Sequence, residues 1–282
     1  MGNILACPNC GSVSYIKKGY YKTKHNHQSV PRYKCKDCAC NFSSHSNRET
    51  FKQHRPELNE NVFKLSSSSV TMRRMAIILG CARGTIERKL NFISKVAKDA
   101  HEERIKLSST HNIHFDEMET FLHTKLKPLS IALAVDSDSL DILSASVAQM
   151  RCKGKLAEFG HKKYPEWCID NRSLACSKVI EEVKKISPQI HSITSDAKKS
   201  YPSIFKKNLP DAEIFIYKSR KTKKGEFNPL FQLNHAAAKI RSDLSIMRRR
   251  TWACTKKISN LQRHLDIYIA WNNGYSLNLN FC

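Results

Sequence analysis

Two aspartates in this chain have the setting of catalytic metal ligands. Asp116 lies inside an apolar run, residues 113–121, although the chain as a whole carries a formal net charge of +23. Asp196 ends a second, shorter apolar stretch at residues 190–196. A carboxylate on one strand and a second at the C-terminal end of a neighbouring strand lie together at one edge of a sheet. There, the two carboxylates and a substrate phosphate can hold two Mg²⁺ ions about 3.5–4 Å apart. The two residues therefore predict a centre for metal-dependent phosphoryl transfer, with Asp116 as its first ligand.

The acids close to Asp116 and beyond it are interpreted differently. Glu117 and Glu119 fall on the opposite strand face from Asp116, because side chains alternate along a strand. That position favours a structural or supporting role. Three further acids are interpreted as turn residues: Asp136, Asp138 and Asp141.

A second kind of metal chemistry is predicted near the start of the chain. Two CxxC pairs flank residues 11–34 and consist of Cys7, Cys10, Cys35 and Cys38. This spacing lets two short turns present four thiolates, each about 2.3 Å from one tetrahedral Zn²⁺. The segment between the pairs has too few apolar residues to fold alone, so the metal would supply its stability. Three nearby residues could replace the fourth ligand: Cys40, His25 and His27.

Composition favours a polyanionic partner. Lys and Arg outnumber Asp and Glu by 48 to 25, and basic groups that neutralise phosphates release condensed counterions from DNA. We expect no membrane association, since we find no run of about 18 apolar residues and no signal segment. Of the 11 cysteines, those outside the CxxC pairs have no regular spacing, which indicates a reducing compartment rather than a disulfide scaffold.

The elements that must position these groups begin with two short helices. Apolar residues keep helical spacing from Met72 to Leu79, and the spacing resumes at Ile86 after a turn at Gly80. This pattern predicts a helix-turn-helix within residues 67–106, after a zinc ribbon at 1–45 and a linker at 46–66. Its second helix would offer four side chains to a major groove: Arg83, Thr85, Arg88 and Lys89.

Residues 107–282 have the pattern of an α/β domain. Alternating apolar residues predict strands at 113–121, 129–135 and 140–148, which short connections would join into an antiparallel meander. A basic stretch at 149–172 is interpreted as a loop, either one that follows phosphates or a solvated insertion. A helix ending at Pro188, a strand at 190–196, a helical turn at 201–207 and a strand at 213–217 then give an α/β order.

The order of these motifs resembles that of bacterial insertion-sequence transposases of the DDE type. The resemblance rests on the zinc ribbon, the helix-turn-helix and three stretches, residues 115–121, 194–201 and 249–257. It implies a ribonuclease-H-like catalytic domain, a mixed sheet with flanking helices, and DNA strand transfer assisted by Mg²⁺ or Mn²⁺. Asp116 and Asp196 take the first two acidic positions of such enzymes. The resemblance also implies a bacterial cytoplasmic or nucleoid protein that acts on DNA as a homodimer or higher homo-oligomer.

The third metal position departs from the usual pattern. Where such enzymes carry a Glu on a late helix, the matching residue here is Asn234, in a helix expected to begin at Asn228 and Pro229. An Asn oxygen can bind Mg²⁺ but leaves more positive charge at the centre than Glu would. Asp243 and Glu226 are the alternatives for this ligand.

Two basic clusters flank the expected site and are interpreted as contacts to element ends and target DNA. They include Lys221, Lys223, Lys224, Arg248, Arg249 and Arg250. The predicted activity is cleavage of a DNA strand by metal-activated water, followed by attack of the freed 3′-OH on target DNA. Two alternatives stay open: a decayed or domesticated transposase that only binds DNA, and a nuclease of ribonuclease-H-like fold that does not transpose.

Overall fold

The computed structural model describes residues 5–23, 27–51, 53–105, 110–187, 189–218, 228–247 and 254–279. The chain divides into two compact units. The first comprises Met1–Glu60 with Asn278–Cys282, and the second comprises Asn61–Leu277. None of the helices within the described ranges is long and apolar enough to cross a membrane.

The first unit is built on a small antiparallel sheet. Its strands are β1 (Tyr15–Lys22), β2 (Ser29–Cys35) and β3 (Asn41–Ser43), in the order β1-β2-β3. One ring from each strand joins a small aromatic cluster, with centroid separations of 4.9 Å for Tyr15 and Tyr33 and 5.6 Å for Tyr15 and Phe42. Beyond these rings the buried cluster contains mainly cysteines, so apolar burial alone gives this sheet little stability.

The segment expected to be a linker contains regular structure. A 3-10 helix at Pro56–Leu58 is followed directly by α1 (Asn59–Ser66). Val62 and Phe63 are buried on α1. The sequence analysis did not predict this helix, because residues 43–61 show no clear apolar period. Most of the apolar residues of α1 lie in its C-terminal half.

Two helices follow at the expected place. They are α2 (Met72–Ile78) and α3 (Arg83–Ile105), and Thr71 caps α2 by accepting a hydrogen bond from the Arg74 N–H at 3.3 Å. The helix α3 is much longer than a typical second helix of this motif, and it packs along the last helix of the chain, α8 (Ile258–Asn272). His101 of α3 bonds to the Leu143 carbonyl at 2.8 Å, so α3 is part of the same compact unit as the large sheet.

The large sheet has five strands in the order β6-β5-β4-β7-β8. They are β4 (Asn112–Phe121), β5 (Pro128–Asp136), β6 (Ile142–Gln149), β7 (Ser192–Asp196) and β8 (Glu213–Tyr217). The meander expected for β4, β5 and β6 is confirmed, since both pairings are antiparallel. β7 pairs parallel to β4, and β8 parallel to β7. The sheet is therefore mixed, and the expected α/β class is confirmed.

Helices cover both faces of this sheet. On one face lie α5 (Arg172–Ile186) and α6 (Tyr201–Asn208), which pack on Phe115 of β4. On the other lie α7 (Phe231–Asp243) and α8, which pack on Met118 of β4 and Leu133 of β5. The alternation along β4 therefore sends its side chains into two separate cores, which explains why the central strands are apolar on both sides.

Two elements differ from expectation. The basic stretch at 149–172 is not only a loop: it holds 3-10 helices at Gly154–Leu156 and Pro165–Cys168 on either side of α4 (Ala157–Lys163). The helix α7 begins at Phe231 rather than at Pro229, because the side chain of Asn228 accepts a hydrogen bond from the Leu230 N–H within a turn.

Candidate metal centres

The four N-terminal cysteines come together as a group able to hold a metal ion. Their Sγ atoms all lie within 4.8 Å of one another. The Sγ atoms of Cys7 and Cys38 are 3.5 Å apart, and those of Cys10 and Cys35 are 3.6 Å apart. Tetrahedral binding to Zn²⁺ at about 2.3 Å would place the sulfurs roughly 3.8 Å apart. The donor set and its spacing thus fit the metal predicted from the sequence.

Two similar backbone turns present these thiols. In the first, the Cys7 N–H donates to the Ser12 carbonyl at 2.8 Å, and Gly11 has a φ of +74°. In the second, the Cys35 N–H donates to the Cys40 carbonyl at 2.9 Å, and Ala39 has a φ of +57°. In both turns the residue after the second cysteine of the pair is left-handed, a conformation that glycine adopts readily and alanine does not.

The possible substitutes for the fourth ligand are not needed. Among the described residues the group consists of the four predicted cysteines, and neither Cys40 nor His27 belongs to it. His25 lies outside the described residues.

Asp116 and Asp196 lie at the same level of two neighbouring parallel strands. The last β4–β7 register pair is Phe115 with Ser195, so each aspartate is the next residue along its strand. Their charges interact: the Asp196 carboxylate raises the pKa of Asp116. The sheet therefore brings together the two carboxylates that the sequence separates by 80 positions.

A buried tyrosine connects Asp116 to its neighbour in the chain. The Tyr201 hydroxyl donates towards Asp116 Oδ1 at 3.0 Å and Glu117 Oε2 at 3.1 Å. Since a hydroxyl has a single proton, the two carboxylates share it. Tyr201 is completely buried at the start of α6, where its ring packs edge-on against Phe115 with centroids 5.2 Å apart. The packed ring therefore fixes the position of the hydroxyl.

Glu117 has a defined place in the same network. Its Oε1 accepts a hydrogen bond from the Ser130 hydroxyl at 2.7 Å, and its Oε2 forms an ion pair with Lys198. Only 6 % of its side chain is exposed. Although strand alternation places Glu117 on the other face from Asp116, the Tyr201 hydroxyl joins the two, which fits the supporting role predicted for Glu117.

The surroundings of Asp116 oppose its ionisation. Burial, followed by the negative charge of Asp196, raises its pKa to about 6, although the Tyr201 hydrogen bond and the charges of Lys198 and Arg241 act in the opposite direction. Burial likewise lowers the pKa of Lys198. A further cation beside Asp116 would stabilise its charged form.

The residue matching the third metal position lies on the solvent side of α7. Asn234 is exposed on α7, whose inward face carries Leu233, Ala236 and Ile240. Among the described residues, no hydrogen bond joins its side chain to Asp116 or Asp196. Arg241, on the same helix, is close enough to Asp116 for its charge to lower the pKa of that carboxyl group. Asn234 precedes it by seven residues, which is about two helical turns.

Of the two alternatives for the third metal position, only Asp243 lies within the described residues. Asp243 accepts a hydrogen bond from the Tyr268 hydroxyl at 2.7 Å, which holds its carboxylate against α8. Glu226 lies outside the described residues. Apart from the cysteines, the described residues contain no group of three His, Cys, Asp or Glu side chains close enough to share one ion.

A polar pocket adjoins the network. Its volume is about 220 Å³. It is lined by Asp170, Arg172, Ser173, Cys176, Lys198, Ser200 and Ile204. Asp170 holds the Arg172 guanidinium through both carboxylate oxygens, with the shortest contact at 2.7 Å. The sequence analysis did not identify Lys198 and Tyr201 as site residues. The available signal was their closeness to Asp196, since they follow it by two and five positions.

The predicted DNA-contacting side chains of α3 differ in accessibility. Arg83 and Arg88 are exposed, and Thr85 is half-buried. Lys89 is only 2 % exposed, so this side chain is not available to a groove in the structure. Its position on the side of α3 that also buries Ile86 and Leu90 explains this. The two basic clusters lie outside the described residues: Lys221, Lys223, Lys224, Arg248, Arg249 and Arg250.

A search of protein-family models found no match to this chain, and a search of curated proteins found no similar sequence.

Proposed function

We propose that this chain is a DNA transposase that cleaves strands at element ends and joins the freed 3′-OH to target DNA. The observation that carries the proposal is the pair Asp116 and Asp196, which lie at the same level of adjacent parallel strands in a mixed sheet covered by helices on both faces. Such a pair suits a centre of two Mg²⁺ or Mn²⁺ ions that activates the attacking oxygen and stabilises the leaving one. A ribonuclease-H-like fold belongs to the same proposal.

The roles of the chain's own groups follow from the network. Asp116 and Asp196 would hold the ions, which supply charge stabilisation to the phosphoryl group when bound. Tyr201 orients Asp116 through its hydroxyl, while Glu117 anchors Lys198 beside the site. Asn234 remains the proposed third ligand, which requires its exposed side chain to turn towards the aspartates on binding metal and DNA.

The cysteine cluster would hold a structural Zn²⁺, since its four thiolates leave no open coordination position for a substrate. With α2 and α3 it would bind DNA, in keeping with the net charge of +23.

A divalent-dependent nicking assay on a duplex that carries the element end tests the proposal. We expect cleavage and strand-transfer products with wild type, and loss of both in Asp116→Ala and Asp196→Ala with DNA binding retained. A wild-type protein that binds DNA but never cuts it would refute the enzyme.

A DNA-binding protein without activity is the second candidate. It is favoured by the neutral Asn234 and by the lack, among the described residues, of a compact group of three acidic ligands. Cleavage without strand-transfer products would instead identify a nuclease that does not transpose.

A further inference from the structure

The solvent face of α4 combines an aromatic ring with lysines. Phe159 is 56 % exposed. Lys162 and Lys163 follow it at three and four positions, the spacing that places side chains on one side of a helix, and both are exposed. Lys155, in the preceding 3-10 helix, is also exposed. Isolated exposed apolar residues are common, so the lysines around this one are the informative feature.

Packing on the opposite side of α4 fixes this orientation. Gly160 is buried, and a Cβ at that position would lie 3.1 Å from Cys152 Sγ and 3.4 Å from Leu126 Cδ2. The helix therefore approaches the body of the protein closely at Gly160, where a larger residue would force its neighbours to shift. Phe159 cannot turn inward unless the helix leaves this contact.

The segment after α4 is also held in place. The Lys127 ammonium lies 4.1 Å from the ring centroid of Tyr164 and 5.3 Å from that of Trp167. The Trp167 indole N–H donates to the Pro128 carbonyl at 3.0 Å. These contacts make the stretch from α4 to α5 a fixed surface rather than a loose loop.

The chain contains a matched contrast to this surface. Phe231 on α7 is 61 % exposed, which is similar to Phe159. The residues three and four positions after it are Asn234 and His235 instead of two lysines. Around Phe159 the cations are close to the ring itself, since Lys163 Nζ lies 5.7 Å from its centroid.

We propose that the outer face of α4 binds single-stranded DNA, with Phe159 stacking on an unpaired base and Lys155, Lys162 and Lys163 neutralising the adjacent phosphates. An exposed ring among lysines matches both parts of a nucleotide: the ring offers a face to the base, and the ammonium groups attract the backbone. A paired base has no free face, so duplex DNA gains only the electrostatic part.

The start of the same stretch is attached to the large sheet, because Lys153 forms an ion pair at 3.6 Å with Glu119 of β4. Binding of single-stranded DNA to the outer face of α4 needs no metal, so the inference goes beyond the proposed enzymatic function and does not depend on it.

Binding of a fluorescent thymidine oligonucleotide to the full chain, in low salt without divalent ions, tests the inference. Phe159→Ala should weaken binding on the order of tenfold. Phe159→Trp should retain affinity, and its added indole fluorescence should be quenched as DNA saturates the protein. Lys162→Gln should reduce the slope of log K against log salt by about 0.7, the value for one phosphate contact on a single strand.

Phe231→Ala is the control for the loss of an exposed aromatic ring, and it should bind the oligonucleotide like wild type. Equal weakening in Phe231→Ala and Phe159→Ala would overturn the inference. So would unquenched fluorescence in Phe159→Trp, or an equal effect of Phe159→Ala on inorganic polyphosphate, which has no bases. The assay contains no divalent ions and measures binding alone, so failure of the surface and failure of the proposed catalysis are distinguishable.

Discussion

The cysteine cluster and the carboxylate site bring their side chains together by different means. The cluster takes all four ligands from two short turns, each complete within a few residues, and it has little apolar core of its own. The carboxylate site takes one carboxylate from each of two strands, and helices packed on both faces of the sheet support it. In the first region a bound metal would stabilise the fold, whereas in the second the fold itself positions the two carboxylates.

Removal of metal should therefore affect the two regions very differently, and this is the largest expected effect. A strong chelator should unfold the β1–β3 sheet, because apparent binding energies of structural Zn²⁺ are on the order of 10 kcal/mol, more than this small core can replace. The large sheet should keep its protection. Hydrogen exchange measured by mass spectrometry, with and without chelator, resolves the two regions.

Cys40→Ser is the matched control for this experiment. Its sulfur is outside the group of four, so metal content should stay at the wild-type level, whereas Cys38→Ser should lose metal. Simultaneous loss of protection in both regions on chelation would contradict the contrast between them.

Loss of the Tyr201 hydroxyl should weaken the carboxylate site and leave the cysteine cluster unchanged. Tyr201→Phe keeps the buried ring but removes the group that orients Asp116 and Glu117. Loss of such a supporting hydrogen bond typically reduces metal affinity or activity by about 10- to 100-fold. Calorimetric titration with Mn²⁺ measures the change.

Tyr268→Phe provides the comparison, because it removes a buried hydroxyl whose partner is Asp243. We expect unchanged Mn²⁺ affinity in this variant. A loss equal to that of Tyr201→Phe would instead assign Asp243 to the metal centre.

The charge of Asp116 should destabilise the metal-free protein above about pH 6. Its folded pKa is about 6 and its ordinary value is 3.8, so the folded state binds this proton more tightly than the unfolded state. The resulting stability is fully present below pH 3.8 and is lost as the pH rises through 6, with a magnitude on the order of 3 kcal/mol.

Asp116→Asn should abolish that component. The difference in unfolding free energy between wild type and this variant, measured by denaturant at several pH values without metal, should favour the variant progressively from pH 4 to 7. A difference independent of pH would mean that Asp116 is ionised as easily in the folded chain as in the unfolded one. Saturating Mn²⁺ should reverse the order.

The smallest effect compares the two cysteine turns. Gly11→Ala should destabilise the metal-bound protein by about 1 kcal/mol, because alanine is strained at a φ of +74°. Ala39→Gly should relieve the same strain at a φ of +57° and be neutral or stabilising. Thermal unfolding of the metal-bound protein tests both variants. A change in stability of the same sign in both would show that the two turns are not equivalent.

The sequence alone determined what is local. The spacing of Cys7, Cys10, Cys35 and Cys38 was sufficient to predict their group, because two-residue gaps constrain each turn without help from the rest of the chain. Apolar alternation predicted the strands of the large sheet, and their short connections predicted the antiparallel meander. The residues of α1 and α4 gave no clear period, and both helices were missed.

Only the tertiary structure decided which distant groups meet. The parallel pairing of β4 with β7 sets Asp116 beside Asp196, and the packing of α6 on Phe115 brings the Tyr201 hydroxyl to Asp116 and Glu117. The burial of Lys89 likewise depends on which side of α3 faces the rest of the unit. Such contacts depend on strand register and on packing between elements far apart in the chain. The apolar periodicity of a single segment does not encode either of them.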